Sequence, residues 1–178
     1  MSQKLDWLLA YPLPSTDSPF GLTPLSIMQP GAMFRARGKS VRYFDQRYDP
    51  PEMFDELARE ATNVGVSCFT GKQSAYASDL LERVREINVK AYTHVGGHHA
   101  RLCTEDVRAE SIVDHVWPDR WYGEEHFAWD DDDQKQWKRG IVQYQTSRGC
   151  SYNCSFCALR SPWVPKEVGA IERELSMI

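Results

Sequence analysis

The sequence predicts an α/β fold with a doubly wound, parallel β-sheet. Strand-like apolar runs alternate with segments of helical periodicity over roughly the first 117 residues. The loops between these segments are short, which is typical of parallel strands joined by helices. The loops that follow the predicted strands are rich in Gly, Ser, Thr and His, as expected where such a sheet binds a polar ligand.

Five apolar runs have the length and composition of buried strands. The first, residues 5–11 (LDWLLAY), ends at a proline-rich loop. Four more follow at residues 41–44, 64–69, 91–95 and 112–117. All of these runs are too short to cross a membrane as a helix.

Helical segments separate these strands. Thr23 and Pro24 suit the N-cap and first turn of a helix that we expect to run to Arg37 and to end at Gly38. Pro30 lies inside this helix and is expected to kink it. Further helices are predicted at residues 51–62, 74–87 and about 105–111.

The carboxyl ends of the predicted strands define a candidate ligand edge. In a doubly wound sheet, ligands bind in the loops beyond the carboxyl ends of the strands. Those loops are residues 12–21, 45–49, 70–73 and 96–99. The basic stretch from Arg35 to Arg47 is expected to be a solvated face instead.

Composition excludes several classes of protein. A hydrophobic fraction of 42% allows a real core, and a net charge of -4 argues against a nucleic-acid or membrane surface. The amino terminus lacks the apolar segment of a signal peptide, since Asp6, Pro12 and Pro14 interrupt it. We therefore expect a cytoplasmic protein.

The carboxyl-terminal third differs in character. Residues 128–140 include four consecutive aspartates and are predicted to be an exposed acidic linker. A fresh strand is expected at residues 141–144, and a helix could begin at residue 166 and run to residue 178. The predicted organisation is therefore a first domain at 1–127, the linker at 128–140 and the start of a second domain at 141–178.

Three of the five cysteines form a metal-binding pattern. Cys150, Cys154 and Cys157 have the spacing Cys-x3-Cys-x2-Cys on a polar loop after the predicted strand. Three thiolates so close together can ligate three irons of an iron–sulfur cube and leave the fourth open for a cofactor. The alternative is a structural zinc site, which requires a fourth ligand that this segment lacks. Three unrelated buried cysteines would be the other reading of this cluster.

This segment resembles the signature of radical S-adenosylmethionine enzymes. The resemblance rests on the three cysteines, the preceding Thr-x-Arg-Gly sequence at residues 146–149, and the aromatic Phe156. It implies a 4Fe-4S cluster on Cys150, Cys154 and Cys157, with Phe156 near the adenine of S-adenosylmethionine. It also implies that residues 141–144 form the first strand of a (β/α) barrel.

The preceding region resembles the Rossmann-like cobalamin-binding domain found in one subclass of these enzymes. The matching pieces are residues 19–22, 38–45, 64–73, 94–99, 113–114 and 122–125. The resemblance implies that cobalamin lies across the strand ends, and its predicted contacts are Ser67, Thr70, Gly71, Gln73, Gly96, Gly97, His98 and His99. None of the five histidines has an aspartate two residues before it, so the Asp-x-His-x-x-Gly motif for the lower axial ligand is absent.

The combined resemblance implies the amino-terminal part of a cobalamin-dependent radical enzyme. The expected activity is methyl transfer to an unactivated carbon of a small molecule or peptide, with methylcobalamin and a 5'-deoxyadenosyl radical. Rearrangement and ring formation, which other members of the subclass carry out, are the alternative reactions. Residues 158–178 alone follow Cys157, so we expect most of the barrel to be missing, as in a fragment, a truncated gene product or half of a split enzyme. The alternative is a non-catalytic cobalamin- or cluster-binding module that acts with a partner chain supplying the barrel.

Overall fold

The computed structural model describes residues 4–14, 24–117, 144–157 and 162–176. The chain divides into two compact units, residues 1–19 with 24–125, and residues 20–23 with 126–178. The predicted linker at 128–140 lies outside the described residues, as do Thr23 and residues 15–21 of the first predicted loop. No helix in the described part of the chain is long and apolar enough to cross a membrane.

The first unit contains a five-stranded parallel sheet. Its strands are β1 Leu5–Tyr11, β2 Val41–Asp45, β3 Ala61–Ser67, β4 Tyr92–Gly96 and β5 His115–Val116. They are ordered β2-β1-β3-β4-β5, and every pairing is parallel. This order confirms the predicted doubly wound sheet, since the chain runs outward from β1 in both directions.

Helices connect the strands. They are α1 Leu25–Ala36, α2 Pro51–Glu60, α3 Lys72–Ile87, α4 Gly97–Leu102 and α5 Thr104–Ala109. Pro30 lies inside α1, and Gly38 follows the helix with a φ of 73°, as its predicted role as a helix stop requires. Helix α2 ends at Glu60 rather than residue 62, because Ala61 is extended and begins β3.

Three local predictions at the strand ends are wrong. Residues 70–73 were expected to be a loop, but Lys72 and Gln73 form the start of α3. Residues 96–99 were expected to be a loop, but Gly96 ends β4 and residues 97–99 form the first turn of α4. The last strand was expected at 112–117 and spans only His115–Val116. Before it, Val113 N donates to Glu110 O, and the Asp114 carboxylate accepts from Thr93 N and pairs with Arg85, so these residues form a turn.

The sheet is covered differently on its two faces. One face packs against α2 and α3 and forms the main core, with Leu8, Phe44, Val64 and Leu81 all buried. On the opposite face the Trp7 ring stacks on Phe34 of α1, with centroids 4.1 Å apart. Each fully buried large apolar side chain contributes about 1.5–3 kcal/mol, so these two layers fix the sheet that carries the loops.

The described part of the second unit holds a short antiparallel pair and one helix. The pair is β6 Ser147–Arg148 with β7 Val164–Pro165, and the helix is α6 Val168–Leu175. The predicted helix start at residue 166 is wrong, because Glu167 is extended. Residues 141–143 lie outside the described residues and Tyr144 is not in a strand, so the predicted first barrel strand is not seen within the described part.

Candidate functional site

The strand order locates a candidate site at the carboxyl edge of the sheet. Strands β1 and β3 are neighbours whose connections leave in opposite directions, which creates a crevice at the ends of the two strands. Pro12 follows β1, residues 68–71 follow β3, and Gly97 follows β4. The predicted contacts in the β3 and β4 loops are therefore at one edge of the sheet.

Gln73 ties two of these loops together. Its side chain is 1% exposed. The Oε1 atom accepts a hydrogen bond from Phe69 N, and Nε2 donates to Pro12 O, each at 2.9 Å. Because the amide bridges the ends of β3 and β1, Gln73 sets the width of the crevice. The structure thus places this predicted contact beneath the loops that form the site.

Gly71, the residue immediately before α3, has a backbone conformation that only glycine adopts readily. Its φ is 107° and its ψ is −149°. Ser74 N and Ser74 Oγ both donate to Gly71 O, at 2.9 and 2.7 Å. This tight turn leaves Thr70 and Gly71 exposed at the edge of the sheet.

Gly97 brings β3 and α4 into close contact. Its φ is 90°, and a Cβ there would lie 2.7 Å from Cys68 O and 2.9 Å from Ser67 Oγ. The neighbouring main chain is hydrogen bonded across the same gap, since His99 N donates to Cys68 O at 3.0 Å. Gly97 is one of the predicted cobalamin contacts, and its missing side chain makes space for the end of β3.

Gly96 has the free volume that Gly97 lacks. A Cβ on Gly96 would meet only ordinary contacts, 3.9 Å from Trp117 Cβ and 4.0 Å from Val66 O. Trp117 directly follows β5, and its main-chain N donates to Val95 O at 2.8 Å. Trp117, which the sequence analysis did not single out, is therefore the residue of the β5 end beside Gly96.

Two side-chain pairs join the β3 loop to α4. Thr70 Oγ1 and His99 Nδ1 are hydrogen bonded at 3.2 Å. The rings of Phe69 and His98 lie 4.5 Å apart between centroids. Three of these four residues were predicted contacts, and the structure brings them together at one edge.

Phe69 is the residue of this group that the sequence reasoning missed. Its ring is 49% exposed at the end of β3, where a large apolar side chain has no structural need to face solvent. Because it was read as the last residue of a strand, it was treated as core. The polar Ser67 just before it was the available sign that the buried strand ends ahead of Phe69.

His94 lies behind this edge in a buried polar cluster. It is 6% exposed, and its two ring nitrogens contact Trp117 Nε1 at 3.0 Å and Asn63 Oδ1 at 3.1 Å. Burial, with a smaller contribution from the neighbouring His115, lowers the pKa of His94 to about 4. His94 is therefore neutral at physiological pH.

A buried ion pair occupies the end of β2. Arg47 Nε and NH2 donate to the two carboxylate oxygens of Asp45, at 2.8 and 2.6 Å. The guanidinium also lies over the ring of Tyr11, 4.7 Å from its centroid. The expectation of a solvated basic face is wrong for Arg47, because the charge of Asp45 and the ring of Tyr11 enclose it.

The cysteine loop lies in the second unit, between β6 and β7. Cys150 is exposed, whereas Cys154 and Cys157 are half-buried. Gly149 opens the loop with a φ of 72°, and Cys157 N donates to Cys154 O at 3.1 Å. Phe156 is 89% exposed beside the last cysteine.

The three thiols are free and are not arranged as a ready metal site. Within the described residues, no three His, Cys, Asp or Glu side chains are placed to hold one metal ion. All five cysteines, Cys68 and Cys103 included, are unpaired thiols. As a donor set the loop suits a soft metal or an iron–sulfur cluster, and a bound cluster would have to draw the three sulfurs together.

Comparison with known proteins gives one family. The family model for the B12 binding domain matches residues 16–126, which is more than half of the chain. None of the curated proteins matches the sequence. The matched segment begins after β1 and contains the other four strands of the sheet, together with the loops after β3 and β4.

Proposed function

Because this chain belongs to the B12-binding domain family, we propose that cobalamin binds across the carboxyl ends of β1, β3 and β4. We propose further that the chain is the amino-terminal part of a cobalamin-dependent radical S-adenosylmethionine enzyme. Its reaction would be methyl transfer to an unactivated carbon of a small molecule or peptide. The first proposal rests on the family and on the ends of the strands. The second rests on the cysteine loop.

The geometry of the β4 end supports the cobalamin site. Gly97 lets α4 begin directly against Cys68, which brings His98 and His99 beside the β3 loop. Gly96 leaves room for a ligand at the strand end. The observation that carries the site is this pair of glycines at the end of β4, beside the β3 loop. Gly97 lets two backbone segments approach closely, and Gly96 leaves space for a ligand.

The rim chemistry also fits a large, amide-rich macrocycle. The Phe69 ring offers an exposed apolar surface, and Thr70 and His99 offer polar atoms beside it. Ligand sites commonly combine apolar walls with a few fixed polar groups. Residues 12–23 contain no histidine, so the segment after β1 supplies no imidazole to the cobalt.

The cysteine loop supports the radical S-adenosylmethionine part of the proposal. Cys150, Cys154 and Cys157 would hold a 4Fe-4S cluster, which leaves one iron for the amino acid part of S-adenosylmethionine. When bound, the cluster and cobalamin supply the electron that cleaves S-adenosylmethionine and the methyl group that is transferred. Free thiols and an oxygen-sensitive cluster suit a reducing compartment, so we assign the protein to the cytoplasm.

In this proposal the residues of the chain bind the two cofactors and S-adenosylmethionine and hold them in the correct orientation. Gln73 holds the two loops of the cobalamin crevice at a fixed separation. The exposed Phe156 would pack on the adenine of S-adenosylmethionine. Correct placement of reacting groups contributes many powers of ten to a rate, so these orienting contacts matter as much as the cofactors.

Cofactor loading of the purified chain tests the two parts separately. We expect methylcobalamin to bind one per chain in equilibrium dialysis. We also expect anaerobic reconstitution with iron and sulfide to give a brown protein with about four irons per chain. Cys154→Ala should lose the iron and keep cobalamin, whereas Cys103→Ala, which changes a cysteine outside the loop, should keep both. A colourless protein with one tightly bound zinc would contradict the cluster, and failure to bind cobalamin would contradict the site.

A second candidate function is a non-catalytic module that works with a partner chain. The observation that favours it is the exposure of Tyr152 and Phe156 beside the cysteines, since large aromatic side chains in solvent often mark a contact surface. The partner would supply the remaining barrel. Addition of S-adenosylmethionine to the reconstituted chain distinguishes the two functions. In a radical enzyme it binds the open iron and changes the electron paramagnetic resonance spectrum of the reduced cluster, whereas a non-catalytic module leaves that spectrum unchanged.

A further inference from the structure

A directed chain of hydrogen bonds crosses one face of the sheet. Trp117 Nε1, after β5, contacts His94 Nδ1 on β4 at 3.0 Å, and His94 Nε2 contacts Asn63 Oδ1 on β3 at 3.1 Å. Asn63 Nδ2 then donates to Asp6 O on β1 at 3.0 Å. Four of the five strands are therefore linked through three side chains.

The donor and acceptor in each of these hydrogen bonds follow from the groups at the two ends of the series. An indole N–H can only donate, so His94 Nδ1 must accept and the imidazole proton must reside on Nε2. Asn63 uses its Nδ2 group on Asp6 O, which leaves Oδ1 as the acceptor for His94. Each side chain therefore has a hydrogen-bond partner. The hydrogen bond to Asn63 fixes the tautomer of His94, and His94 Nδ1 in turn fixes the orientation of the Trp117 ring.

Trp117 lies beside the carboxyl end of β4. It follows the last residue of β5, and its Cβ would be 3.9 Å from a Cβ on Gly96. Two strand spacings, about 10 Å, separate β5 from β3, a distance that a corrin ring covers. Because the only polar atom of the indole is directed to His94, the orientation of its apolar ring is fixed.

We propose that Trp117 forms a wall of the cobalamin site and that His94 is a positioning residue that holds this wall in place. The proposal rests on the cobalamin site proposed above. It gives Trp117 and His94, which are not among the predicted contacts, a role in cobalamin binding. His94 acts through Trp117 and not by touching cobalamin, since its ring is buried and both nitrogens are hydrogen bonded.

Methylcobalamin binding to variants of the full chain tests this proposal. Trp117→Ala should raise the Kd about tenfold or more, whereas Trp117→Phe, which keeps an apolar ring, should raise it about threefold or less. His94→Leu removes the acceptor and should weaken binding about fivefold. His94→Asn restores an acceptor near the Nδ1 position and should bind close to the wild type.

A second measurement separates positioning from simple loss of structure. The indole N–H resonance of Trp117, identified by its absence in Trp117→Phe, should keep its hydrogen-bonded position in His94→Asn and move in His94→Leu. Tyr92→Ala is the matched control, because Tyr92 is an exposed aromatic residue at the amino end of the same strand β4. Its Kd should equal that of the wild type.

The outcomes distinguish this proposal from the one on which it rests. If the wild-type chain fails to bind methylcobalamin, the cobalamin site itself is wrong. If the wild type binds and Trp117→Ala binds equally well, the wall is wrong. If His94→Leu shifts the indole resonance but leaves the Kd unchanged, the positioning role of His94 is wrong.

Discussion

Lys166 and Glu174 form an ion pair at the base of the cysteine loop, with Nζ and Oε2 2.5 Å apart. The carboxylate of Glu174 is 2% exposed, and Lys166 Nζ also lies 4.9 Å from the Tyr144 ring centroid. Lys166 N donates to Thr146 O beside the β6–β7 pair. One buried pair therefore connects helix α6 to both chain segments that enclose the cysteines.

The first prediction is that Glu174→Gln destabilises this segment more than any surface change in the same helix. Removing one partner leaves the other charge without compensation, a loss of about 3 kcal/mol for a well-buried pair. Hydrogen exchange of the amides in 164–175 measures this local stability directly. Exchange should become markedly faster in the variant.

The matched control is Glu172→Gln, which changes an exposed glutamate of the same helix. Its exchange rates should equal those of the wild type. Equal rates in Glu174→Gln would show that the pair does not hold the segment. Burial, with Glu174 adding to its effect, raises the pKa of Tyr144 to about 12, so Tyr144 stays neutral in this experiment.

The second prediction compares two glycines with positive φ. Gly38 has a φ of 73° with nothing near its missing Cβ, whereas Gly97 combines a φ of 90° with backbone atoms closer than 3 Å. Gly38→Ala should therefore cost only the conformational penalty, about 1 kcal/mol. Gly97→Ala adds a steric clash and should cost about 2–5 kcal/mol in all.

Urea unfolding followed by far-ultraviolet circular dichroism gives both values. The difference in the free energy of unfolding between the two variants measures the steric clash, because both variants lose the same conformational freedom of glycine. If Gly97→Ala were as stable as Gly38→Ala, the close approach of α4 to Cys68 would be wrong. Cobalamin affinity is not a clean test of Gly97, because the substitution disturbs the fold that carries the site.

Local sequence patterns predicted the sheet and its helices well. The strands β1, β2 and β4 are short apolar runs that end in glycine, proline or polar loops, so their bounds follow from local composition. The order of the strands was not predicted, because α2 joins β2 to β3, which lie on opposite sides of β1. The two-residue β5 was overestimated because Asp114 pairs with Arg85, a residue far along the chain.

Site residues were harder to assign because their roles depend on neighbours in space. The sequence marks Gln73 as a polar residue in a loop after a strand. Only the fold shows that its amide spans from Phe69 to Pro12, the residue that follows β1. Trp117 and His94 were passed over for the same reason, since an indole and an imidazole in strand-like runs look like core residues.

The third prediction concerns this bridge by Gln73. Gln73→Glu keeps the acceptor for Phe69 N but replaces the donor to Pro12 O with a second, charged acceptor. Repulsion between the carboxylate and the carbonyl should open the crevice and raise the methylcobalamin Kd about tenfold. Equilibrium dialysis measures the Kd, and exchange of the Phe69 amide reports whether its bond persists.

Lys72→Ala is the control for Gln73→Glu, because Lys72 is the exposed residue immediately before it in α3. It should bind methylcobalamin as the wild type does. An unchanged Kd in Gln73→Glu would mean that the spacing between the β1 and β3 loops does not matter for the ligand.

The final prediction is a loss of stability in mild acid that depends on His94. Burial and, to a smaller extent, His115 lower its pKa to about 4 in the folded chain, with Asp114 acting in the opposite direction. A histidine in the unfolded chain has a pKa near 6.5. The unfolded state therefore binds the proton first as the pH falls. Stability should be full above about pH 6.5, fall by about 3 kcal/mol towards pH 4, and lose nothing further from this group below that. His94→Asn removes the titrating group, so urea unfolding between pH 7 and pH 4 should show a shallower loss than in the wild type. Parallel curves for the two proteins would show that His94 does not carry the acid sensitivity and that its ring is not held neutral by the interior of the sheet.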